Sequence, residues 1–364
     1  MLNGQLKIII AAGGTGGHVF PAIAIVDEIK KLRSNAEILF VGTKGKIESR
    51  VVPQRGYSLA FIWISGFYRN LGIDNLLFPI KVIVSFVQSF FLIKHFQPDI
   101  VIGTGGYVCG PVLYTASLIG IPIVVHESNN YPGITTRMLS TRATRVFTAF
   151  NSTARWLKRK DNIELTGTPT RDMLGTISRE DGIKFFNLDP LKKTVLVFGG
   201  SLGATCINQA VKLLVNDFID SDIQLIWQTG KTDAMLVKEM SAMKNCRVNT
   251  FIDKMEYAYS AADMVVCRAG ATTLAELTRL GKASILIPYP HAANDHQIFN
   301  AQKLVDAGAA VMIADKDVQM KLETVINSII NDDKKLKQMN EASRAIGKPN
   351  AGREIAKRIL ELVK

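Results

Sequence analysis

The sequence contains the same pattern of strand, glycine loop and helix twice, and this repeat constrains the fold more than any other feature. The apolar run from Ile8 to Ala12 leads into Gly13-Gly14-Thr15-Gly16-Gly17 and then into a helical pattern. The run from Val195 to Phe198 leads in the same way into Gly199-Gly200-Ser201-Leu202-Gly203, and the two loops align at one constant offset. A repeated strand, glycine loop and helix predicts a pair of Rossmann-like domains.

Short β-branched runs alternate with helix-length amphipathic segments along the whole chain. This alternation is typical of parallel sheets covered by helices on both faces. Turn residues at Thr166-Gly167-Thr168-Pro169 predict domains over 1–166 and 167–344, and a helix over about 345–364 is expected to pack back on the first domain. The predicted strands are Ile8 to Ile10, Ile38 to Val41, Ile100 to Ile102, Ile123 to Val125, Val195 to Phe198, Leu225 to Trp227, Val265 to Cys267 and Ile285 to Ile287.

Length and composition agree with a folded two-domain protein. The 364 residues are enough for two cores, and 47% hydrophobic with 21% charged residues argues against disorder. The four cysteines are far apart and include no Cys-x-x-Cys pair, which argues against a disulfide framework or a zinc site and favours a reducing compartment. The N-terminus lacks the features of a signal peptide, so export is not expected.

The formal charge of +12 favours acidic partners, namely nucleotides, lipid diphosphates, anionic membranes or nucleic acid. We find no helix-turn-helix, zinc-finger or RNA-binding signature, so no nucleic-acid partner is predicted.

The segment from Leu76 to Ile93 is apolar and marginally long enough to span a membrane. Lys81, Ser85 and Gln88 fall on one stripe at helical spacing and give it an amphipathic surface. We expect a helix that covers its domain. The alternative is that its beginning, Leu76-Leu77-Phe78 with Arg69 and Lys81 nearby, enters an anionic membrane surface.

Glycine loops at helix N-termini bind diphosphates, so the paired loops favour a nucleotide-handling protein. A nicotinamide dehydrogenase is not indicated, because Val19 stands where the third glycine of its fingerprint belongs and the second strand ends Phe40-Val41-Gly42-Thr43 without an acidic residue. Neither loop continues into the Gly-Lys-Ser/Thr of a kinase-type phosphate loop. Asp220-Ser221-Asp222 and Asp315-Lys316-Asp317 resemble metal-binding Asp-x-Asp motifs, but we interpret both as solvated loop residues.

Five segments of the sequence resemble the MurG family of glycosyltransferases. They occur in the order found in that family and together cover nearly the whole chain. The resemblance implies a GT-B type fold, an α/β structure of two Rossmann-like domains facing across a cleft. It also implies an inverting transferase that uses neither a metal nor another cofactor. The segments are Gly13 to Pro21, Gly103 to Pro111, His126-Glu127-Ser128-Asn129, Gly199 to Ala204, and Arg268 to Leu277 followed by Asp295-His296-Gln297 and Asn300-Ala301.

The resemblance implies three catalytic candidates. His18 matches the candidate general base for the muramyl 4-hydroxyl, and an imidazole suits this task near neutral pH. The alternative is that His18 only orders the loop or binds the acceptor's diphosphate. Tyr107 and Glu127 either act in catalysis or only shape the acceptor side.

The resemblance also implies a set of substrate-binding residues. Ser201 and Arg171 would contact the UDP diphosphate, Glu276 the ribose hydroxyls and Ile252 the uracil. Alternatively, Glu276 and Arg171 are ordinary surface or salt-bridge charges. The remaining residues match positions around the sugar and the nucleotide: Thr15, Gly16, Gly17, Asn129, Ala271, Thr272, Thr273, Leu274, Ala275 and Gln297.

Two departures from the family pattern are visible. Ser128 stands in place of a glutamine, and Cys109 in place of a serine. Neither removes a proposed catalytic group, and Ser128 is shorter than the glutamine it replaces.

The predicted reaction is transfer of N-acetylglucosamine from UDP-N-acetylglucosamine to undecaprenyl-diphospho-N-acetylmuramoyl-pentapeptide. The expected location is peripheral, on the anionic cytoplasmic face of the bacterial inner membrane, with other envelope-synthesis enzymes as protein partners. Alternatives are another UDP-sugar enzyme, such as a diacylglycerol glycosyltransferase or a UDP-N-acetylglucosamine epimerase, and a noncatalytic nucleotide-sugar sensor or assembly partner.

Overall fold

A computed structural model describes residues 5–66, 77–200, 202–215, 218, 222–292 and 295–363. The chain divides into two compact units, Met1–Arg171 with Pro349–Lys364, and Asp172–Lys348. Each unit contains a parallel sheet with helices packed against it, which confirms the predicted α/β fold class. The assignment of the acceptor to one unit and of the UDP-sugar to the other stays a prediction.

In the described part of the first unit, the sheet has seven parallel strands in the order β3-β2-β1-β4-β5-β6-β7. The strands are β1 (Lys7–Ala11), β2 (Glu37–Gly42), β3 (Ser58–Phe61), β4 (Ile100–Gly103), β5 (Ile123–Glu127), β6 (Arg145–Thr148) and β7 (Ile163–Leu165). The helices are α1 (Gly16–Leu32), α2 (Glu48–Gln54), α3 (Phe78–Phe96), α4 (Cys109–Leu118) and α5 (Ile134–Leu139), with a 3₁₀ helix at Asn151–Trp156.

In the described part of the second unit, six parallel strands have the order β10-β9-β8-β11-β12-β13. The strands are β8 (Lys193–Phe198), β9 (Ile223–Gln228), β10 (Cys246–Asn249), β11 (Met264–Cys267), β12 (Ala283–Leu286) and β13 (Ala310–Met312). The helices are α6 (Arg179–Phe185), α7 (Thr205–Leu214), α8 (Met235–Met240), α9 (Met255–Ala261), α10 (Ala271–Leu280), α11 (His296–Asp306), α12 (Val318–Ile330) and α13 (Asp333–Ala345), with a 3₁₀ turn at Asp315–Asp317.

The central strands are continuous apolar runs because both faces of each sheet are covered. Ile8, Ile9 and Ile10 of β1 are fully buried, with side chains in core clusters on opposite faces of the first sheet. In each sheet the strand order reverses beside the first strand of the unit, between β1 and β4 and between β8 and β11. Ligands of open α/β sheets bind at the carboxyl ends of the strands at such a point.

The last helix, α14 (Ala351–Glu361), belongs to the first unit and packs on α1. Ile355, Ala356 and Ile359 are fully buried in the same core cluster as Ile25 and Ile29 of α1. The chain therefore completes the core of its first unit with its C-terminal segment.

Helix α3 has the opposite orientation to an ordinary surface helix. Lys81, Ser85 and Ser89 are buried, whereas Ile83 and Phe91 are each 65% exposed. The predicted amphipathic surface is therefore wrong for Lys81 and Ser85, which face the interior. Lys81 donates from Nζ to Ser65 Oγ at 3.2 Å, and hydroxyl hydrogen bonds to preceding carbonyls satisfy Ser85 and Ser89. Arg69 and Leu76 of the predicted membrane patch lie outside the described residues.

Candidate active site

The first glycine loop connects β1 to α1 and presents His18 on the first turn of that helix. Gly14 has φ of +91°, a conformation that favours glycine. Thr15 precedes the helix in an extended conformation, and its carbonyl accepts from the backbone N–H of His18 at 3.1 Å. Thr15, Gly16, Gly17 and His18 therefore lie at the carboxyl end of β1, at the switch point of the first sheet.

His18 is fixed by the loop that follows β4. Its Nδ1 lies 3.2 Å from the carbonyl oxygen of Thr104, and Thr104 Oγ1 donates to the His18 carbonyl at 2.7 Å. Because a carbonyl oxygen only accepts, Nδ1 carries the proton and Nε2 is the basic nitrogen of the neutral ring. The residue after Thr104 must be glycine, since a Cβ at Gly105 would lie 2.3 Å from His18 Nδ1.

Glu127, at the end of β5, has both carboxylate oxygens occupied by donors from its own loop. Oε1 accepts from the backbone N–H and side-chain amide of Asn129, and Oε2 accepts from the N–H of Gly133 and from Thr136 Oγ1 at 2.7 Å. Gly133 and Thr136 stand at the N-terminus of α5, where a carboxylate is favourable. The carboxylate thus shapes the 127–136 segment.

His126 is a buried neutral residue beneath this segment. Its Nε2 donates to the Gly167 carbonyl at 3.0 Å, and Ser128 Oγ lies 3.4 Å from Nδ1. Burial lowers the pKa of His126. Ser128 therefore contacts the protein interior.

In the second unit, the glycine loop between β8 and α7 is held by the end of β9. Gln228 donates from Nε2 to the Gly200 carbonyl at 3.1 Å and accepts from the N–H of Ile252 at 2.9 Å. Gly203 has φ of +96°, and a Cβ there would lie 2.1 Å from the carbonyl oxygen of Thr229. One buried amide thus joins the glycine loop to Ile252, the residue predicted at the uracil. Ser201 lies outside the described residues.

Helix α10 begins directly at the predicted nucleotide segment. Gly270 precedes it in an extended conformation, and Ala271, Thr272, Thr273, Leu274 and Ala275 form its first turns. Glu276 follows, only 4% exposed, and its Oε2 accepts from Tyr259 Oη at 2.9 Å. The carboxylate is therefore built into the unit, unlike an ordinary surface charge.

Arg268, at the end of β11, organises the neighbouring loops. It pairs with Asp315 and donates to the carbonyls of Ile287 and Pro288 at 3.2 Å, while Cys206 Sγ donates to Asp315 at 2.9 Å. Asp315 is thus a structural partner, and its interpretation as a solvated loop residue is wrong. Partial burial opposes ionisation, but the hydrogen bonds from Cys206 and Arg268 keep the pKa of Asp315 below its usual value.

Gln297, Arg171 and Tyr107 are the predicted site residues that remain to be located. Gln297 Oε1 accepts from the N–H of Tyr289 at 2.9 Å, so the loop organised by Arg268 also fixes Gln297. Arg171 is the last residue of the first stretch of unit one, and its guanidinium lies 5.5 Å from the ring centre of Phe20. Tyr107 stands against Gly14, where a Cβ would lie 3.1 Å from Tyr107 Cε1.

The four cysteines are free thiols. Burial raises the pKa of Cys109 and of Cys246 to about 12, and burial together with the hydrogen bond to Asp315 raises that of Cys206 to about 11. Burial also raises the pKa of Cys267. Because the thiolate is the nucleophile and metal ligand, the raised pKa values disfavour both roles for these thiols. Among the described residues, no cluster of His, Cys, Asp or Glu could hold a metal ion.

The sequence interpretation missed Glu48, Gln228 and Tyr259, which support the site, and misinterpreted Asp315. Each contacts a predicted site residue or its loop through a side chain from another segment of the chain. Position at or just after a predicted strand end was the available signal for Gln228. Asp315 stood in an Asp-x-Asp pattern, whereas nothing in the local pattern marked Glu48 or Tyr259.

Comparison with known proteins agrees with this arrangement. Residues 8–148 match the glycosyltransferase family 28 N-terminal domain, and residues 194–359 match the family 28 C-terminal domain. The solved structure of MurG from Acinetobacter baumannii is similar with a TM-score of 0.76 and 27% identity, covering 98% of this chain and 100% of that one. The fold and both matches define a two-domain glycosyltransferase of the GT-B type.

Curated relatives show to which family of these glycosyltransferases the chain belongs. The UDP-N-acetylglucosamine–N-acetylmuramyl-(pentapeptide) pyrophosphoryl-undecaprenol N-acetylglucosamine transferase of Flavobacterium psychrophilum is 40% identical over 99% of this chain and 98% of its own length. The transferase of the same name from Prosthecochloris aestuarii is 42% identical over 98% and 99%. The chain belongs to the MurG family, which confirms the resemblance found in the sequence.

Proposed function

We propose that the protein transfers N-acetylglucosamine from UDP-N-acetylglucosamine to the 4-hydroxyl of undecaprenyl-diphospho-N-acetylmuramoyl-pentapeptide, with inversion at the anomeric carbon. Two relatives that carry this activity in their names align over nearly the whole chain. The single structural observation that carries the proposal is the hydrogen bond from His18 Nδ1 to the Thr104 carbonyl, which leaves Nε2 basic.

In the proposed reaction, the acceptor hydroxyl attacks the anomeric carbon of the donor sugar. A bond forms between the acceptor oxygen and this carbon, and the bond from the carbon to the UDP oxygen breaks. His18 Nε2 takes the hydroxyl proton, and UDP leaves with the electron pair of the broken bond. The Thr104 hydrogen bond stabilises the imidazolium that forms, because its proton donor becomes more acidic.

Most residues predicted to bind the donor belong to the second unit, whereas Arg171 and Asn129 belong to the first. The ten-residue helix α7 follows the glycine loop, and its N-terminus suits the diphosphate, with Ser201 and Arg171 as further predicted donors. Glu276 would accept from the ribose hydroxyls, while Tyr259 holds one of its oxygens. Ile252, Gln297, Asn129 and the Ala271 to Ala275 turns keep their predicted contacts with the nucleotide and sugar.

Acceptor binding is assigned to the first unit, with Tyr107 and Glu127 as positioning residues. The four hydrogen bonds on the Glu127 carboxylate support this role over proton transfer, because the carboxylate is already engaged with its own loop. The Glu127 side chain then acts by holding Asn129 and the start of α5.

The exposed face of α3 is the proposed membrane-binding surface. Ile80, Ile83, Val87, Phe90 and Phe91 are all at least 40% exposed along one side of this helix. Lys94 Nζ lies 6.0 Å from the ring centre of Phe90, which adds a cation beside the apolar face. Exposed apolar surface bordered by cations suits the interface of an anionic bilayer.

Among the residues that the structure describes, α3 is the one helix long and apolar enough to cross a membrane, by length and composition alone. Its buried polar side facing the unit supports an orientation along the membrane surface. The enzyme would then work as a peripheral protein at the cytoplasmic face of the bacterial inner membrane, where a nucleotide-sugar meets a lipid-borne acceptor. Other envelope-synthesis enzymes stay a predicted class of partner.

Vesicle flotation tests the membrane surface. Ile83→Asp with Phe91→Asp should abolish flotation with anionic phospholipid vesicles, because two charges would have to enter the apolar layer. Met320→Asp is the matched control, since Met320 is 74% exposed on the second unit. Unchanged flotation of the double variant would remove α3 from the proposal.

The activity itself is tested with radiolabelled UDP-N-acetylglucosamine and a panel of acceptors. We expect label in the product only with the undecaprenyl-diphospho-muramoyl-pentapeptide acceptor. Transfer to diacylglycerol, conversion of the donor to its epimer without an acceptor, or binding without turnover would each identify one of the alternative functions instead.

A further inference from the structure

Glu48, the first residue of α2, is a fully buried carboxylate beneath the first glycine loop. Its Oε2 accepts from the backbone N–H of Gly14 at 3.1 Å, and its Oε1 lies 3.3 Å from the same nitrogen. Oε1 also accepts from the N–H of Thr43 at 3.1 Å and from Thr43 Oγ1 at 2.9 Å. A buried carboxylate is costly unless it is hydrogen-bonded, so these donors explain how it is tolerated there.

The surrounding glycines make room for this side chain. A Cβ at Gly13 would lie 2.8 Å from Glu48 Oε1, and a Cβ at Gly42 would lie 2.6 Å from Glu48 Cγ. The end of β2 and the start of the glycine loop therefore both close around Glu48. The hydrogen bonds of Glu48 therefore come from residues that follow two different strands, β1 and β2.

Glu48 is also connected to Tyr107. A carboxylate accepts the hydroxyl proton of Thr43, so the 3.4 Å contact between Thr43 Oγ1 and Tyr107 Oη is donated by the tyrosine. The ring of Tyr107 in turn packs against Gly14. A single chain of hydrogen bonds thus joins Tyr107, Thr43, Glu48 and the loop that carries Thr15 and His18.

We propose that Glu48 is a positioning residue, which holds the first glycine loop and, through Thr43, also Tyr107 in the geometry that catalysis requires. This inference rests on the proposed transferase activity. Its support is geometric: one buried carboxylate accepts from the Gly14 N–H and from both donors of Thr43, and Thr43 accepts from Tyr107.

Steady-state kinetics of the full-length protein test the positioning role. Glu48→Gln keeps the size of the side chain but removes the charge and places an amide among N–H and O–H donors. We expect kcat to fall on the order of tenfold to a hundredfold, as for a misplaced catalytic group. The dissociation constant of UDP, which lacks the sugar, should stay within about twofold, because the predicted uracil and ribose contacts, Ile252 and Glu276, belong to the second unit.

A double-mutant cycle separates positioning from general destabilisation. Glu48→Gln combined with Tyr107→Phe should cost little more than the worse single change, since both act through Thr43. Asn162→Ala is the matched control: Asn162 is fully buried in the same unit and donates to the Ser140 and Ala143 carbonyls. It should lower thermal stability with kcat unchanged. Additive effects in the cycle, or a wild-type kcat for Glu48→Gln, would overturn the role.

Wild-type turnover is measured in the same assay. Its absence would contradict the proposed function, whereas normal wild-type turnover with an unaffected Glu48→Gln variant would contradict this inference alone.

Discussion

At the scale of single residues, backbone carbonyls determine the chemistry of the side chains beside them. The Thr104 carbonyl fixes the tautomer of His18, and the Gly167 carbonyl does the same for His126. The two histidines nevertheless differ, because His126 is completely buried and burial lowers its pKa. His18 is only partly buried, as its predicted role as a base requires.

Replacement of His18 tests whether it is a base or only orders the loop. His18→Gln retains an amide that can donate to the Thr104 carbonyl but cannot accept a proton at neutral pH. We expect kcat to fall about a hundredfold or more, the usual contribution of a general base, with little change in the KM for UDP-N-acetylglucosamine. Steady-state kinetics measure both. A near-normal kcat would show that loop ordering is the whole role of His18.

Replacement of Glu276 should weaken UDP binding, unlike replacement of His18, which should lower kcat. Glu276→Gln weakens the acceptor for the ribose hydroxyls and alters the contact with Tyr259. A charge-assisted hydrogen bond contributes about 1.5–3 kcal/mol, so UDP affinity should fall about tenfold to a hundredfold in calorimetry. Tyr259→Phe, which removes only the supporting hydroxyl, should have a smaller effect. Equal UDP affinity in wild type and Glu276→Gln would contradict the ribose role.

Lys282 gives the second unit a pH-dependent stability. Desolvation lowers the pKa of Lys282 to about 8, and its Nζ donates to the Ala262 carbonyl at the end of α9 at 2.5 Å. The unfolded chain holds this proton up to about pH 10.5. The unfolded state therefore binds more protons between pH 8 and 10.5, and this residue's contribution to stability becomes more favourable as pH rises through that window.

Urea unfolding of Lys282→Met should reveal this contribution. The variant lacks the cost of the buried ammonium, so its midpoint relative to the wild type should be highest at pH 7 and should decline by pH 10. A midpoint difference that stays constant, or that grows with pH, would contradict the assignment.

At the scale of elements, the sequence identified the middle of each sheet and missed its edges. The eight predicted strands correspond to β1, β2, β4, β5, β8, β9, β11 and β12, all with neighbours on both sides. The missed strands, β3, β6, β7, β10 and β13, are three or four residues long and four of them are at sheet edges. Such strands carry too few buried residues to form an apolar run.

Helix α3 shows a second limit of pattern analysis. Its stripe of polar residues has helical spacing, which is compatible with either an outward or an inward polar side. Periodicity reveals a face but not its direction, and the hydrogen-bond partner of buried Lys81, Ser65, comes from another part of the chain. Glu48 was missed and Asp315 misinterpreted for the same reason, because Gly14, Arg268 and Cys206, with which they pair, are distant in sequence.

The last helix should be required for the stability of the first unit. Ile355 of α14 is completely buried beside α1, so Ile355→Ala should cost about 2–5 kcal/mol of unfolding free energy. Lys357→Ala on the exposed side of the same helix is the control. Denaturant titration followed by circular dichroism measures both. Equal midpoints for the two variants would mean that this contact contributes little.

At the scale of the whole molecule, one architecture occurs twice, and its two glycine loops are supported differently. Both units have a parallel sheet with a glycine loop at the switch point, yet the first loop is built over a carboxylate and the second is joined by Gln228 to Ile252. The repeat in the sequence predicted the shared architecture. The different support of the two loops depends on Glu48 and Gln228, whose contacts only the folded structure reveals.

The central claim is that the second unit holds the nucleotide at the carboxyl edge of its sheet. A crystal structure with UDP tests this most directly. We predict the uracil beside Ile252, the ribose hydroxyls on Glu276 and the diphosphate at Ser201 and the N-terminus of α7. A nucleotide bound away from Ser201 and Glu276 would contradict the account.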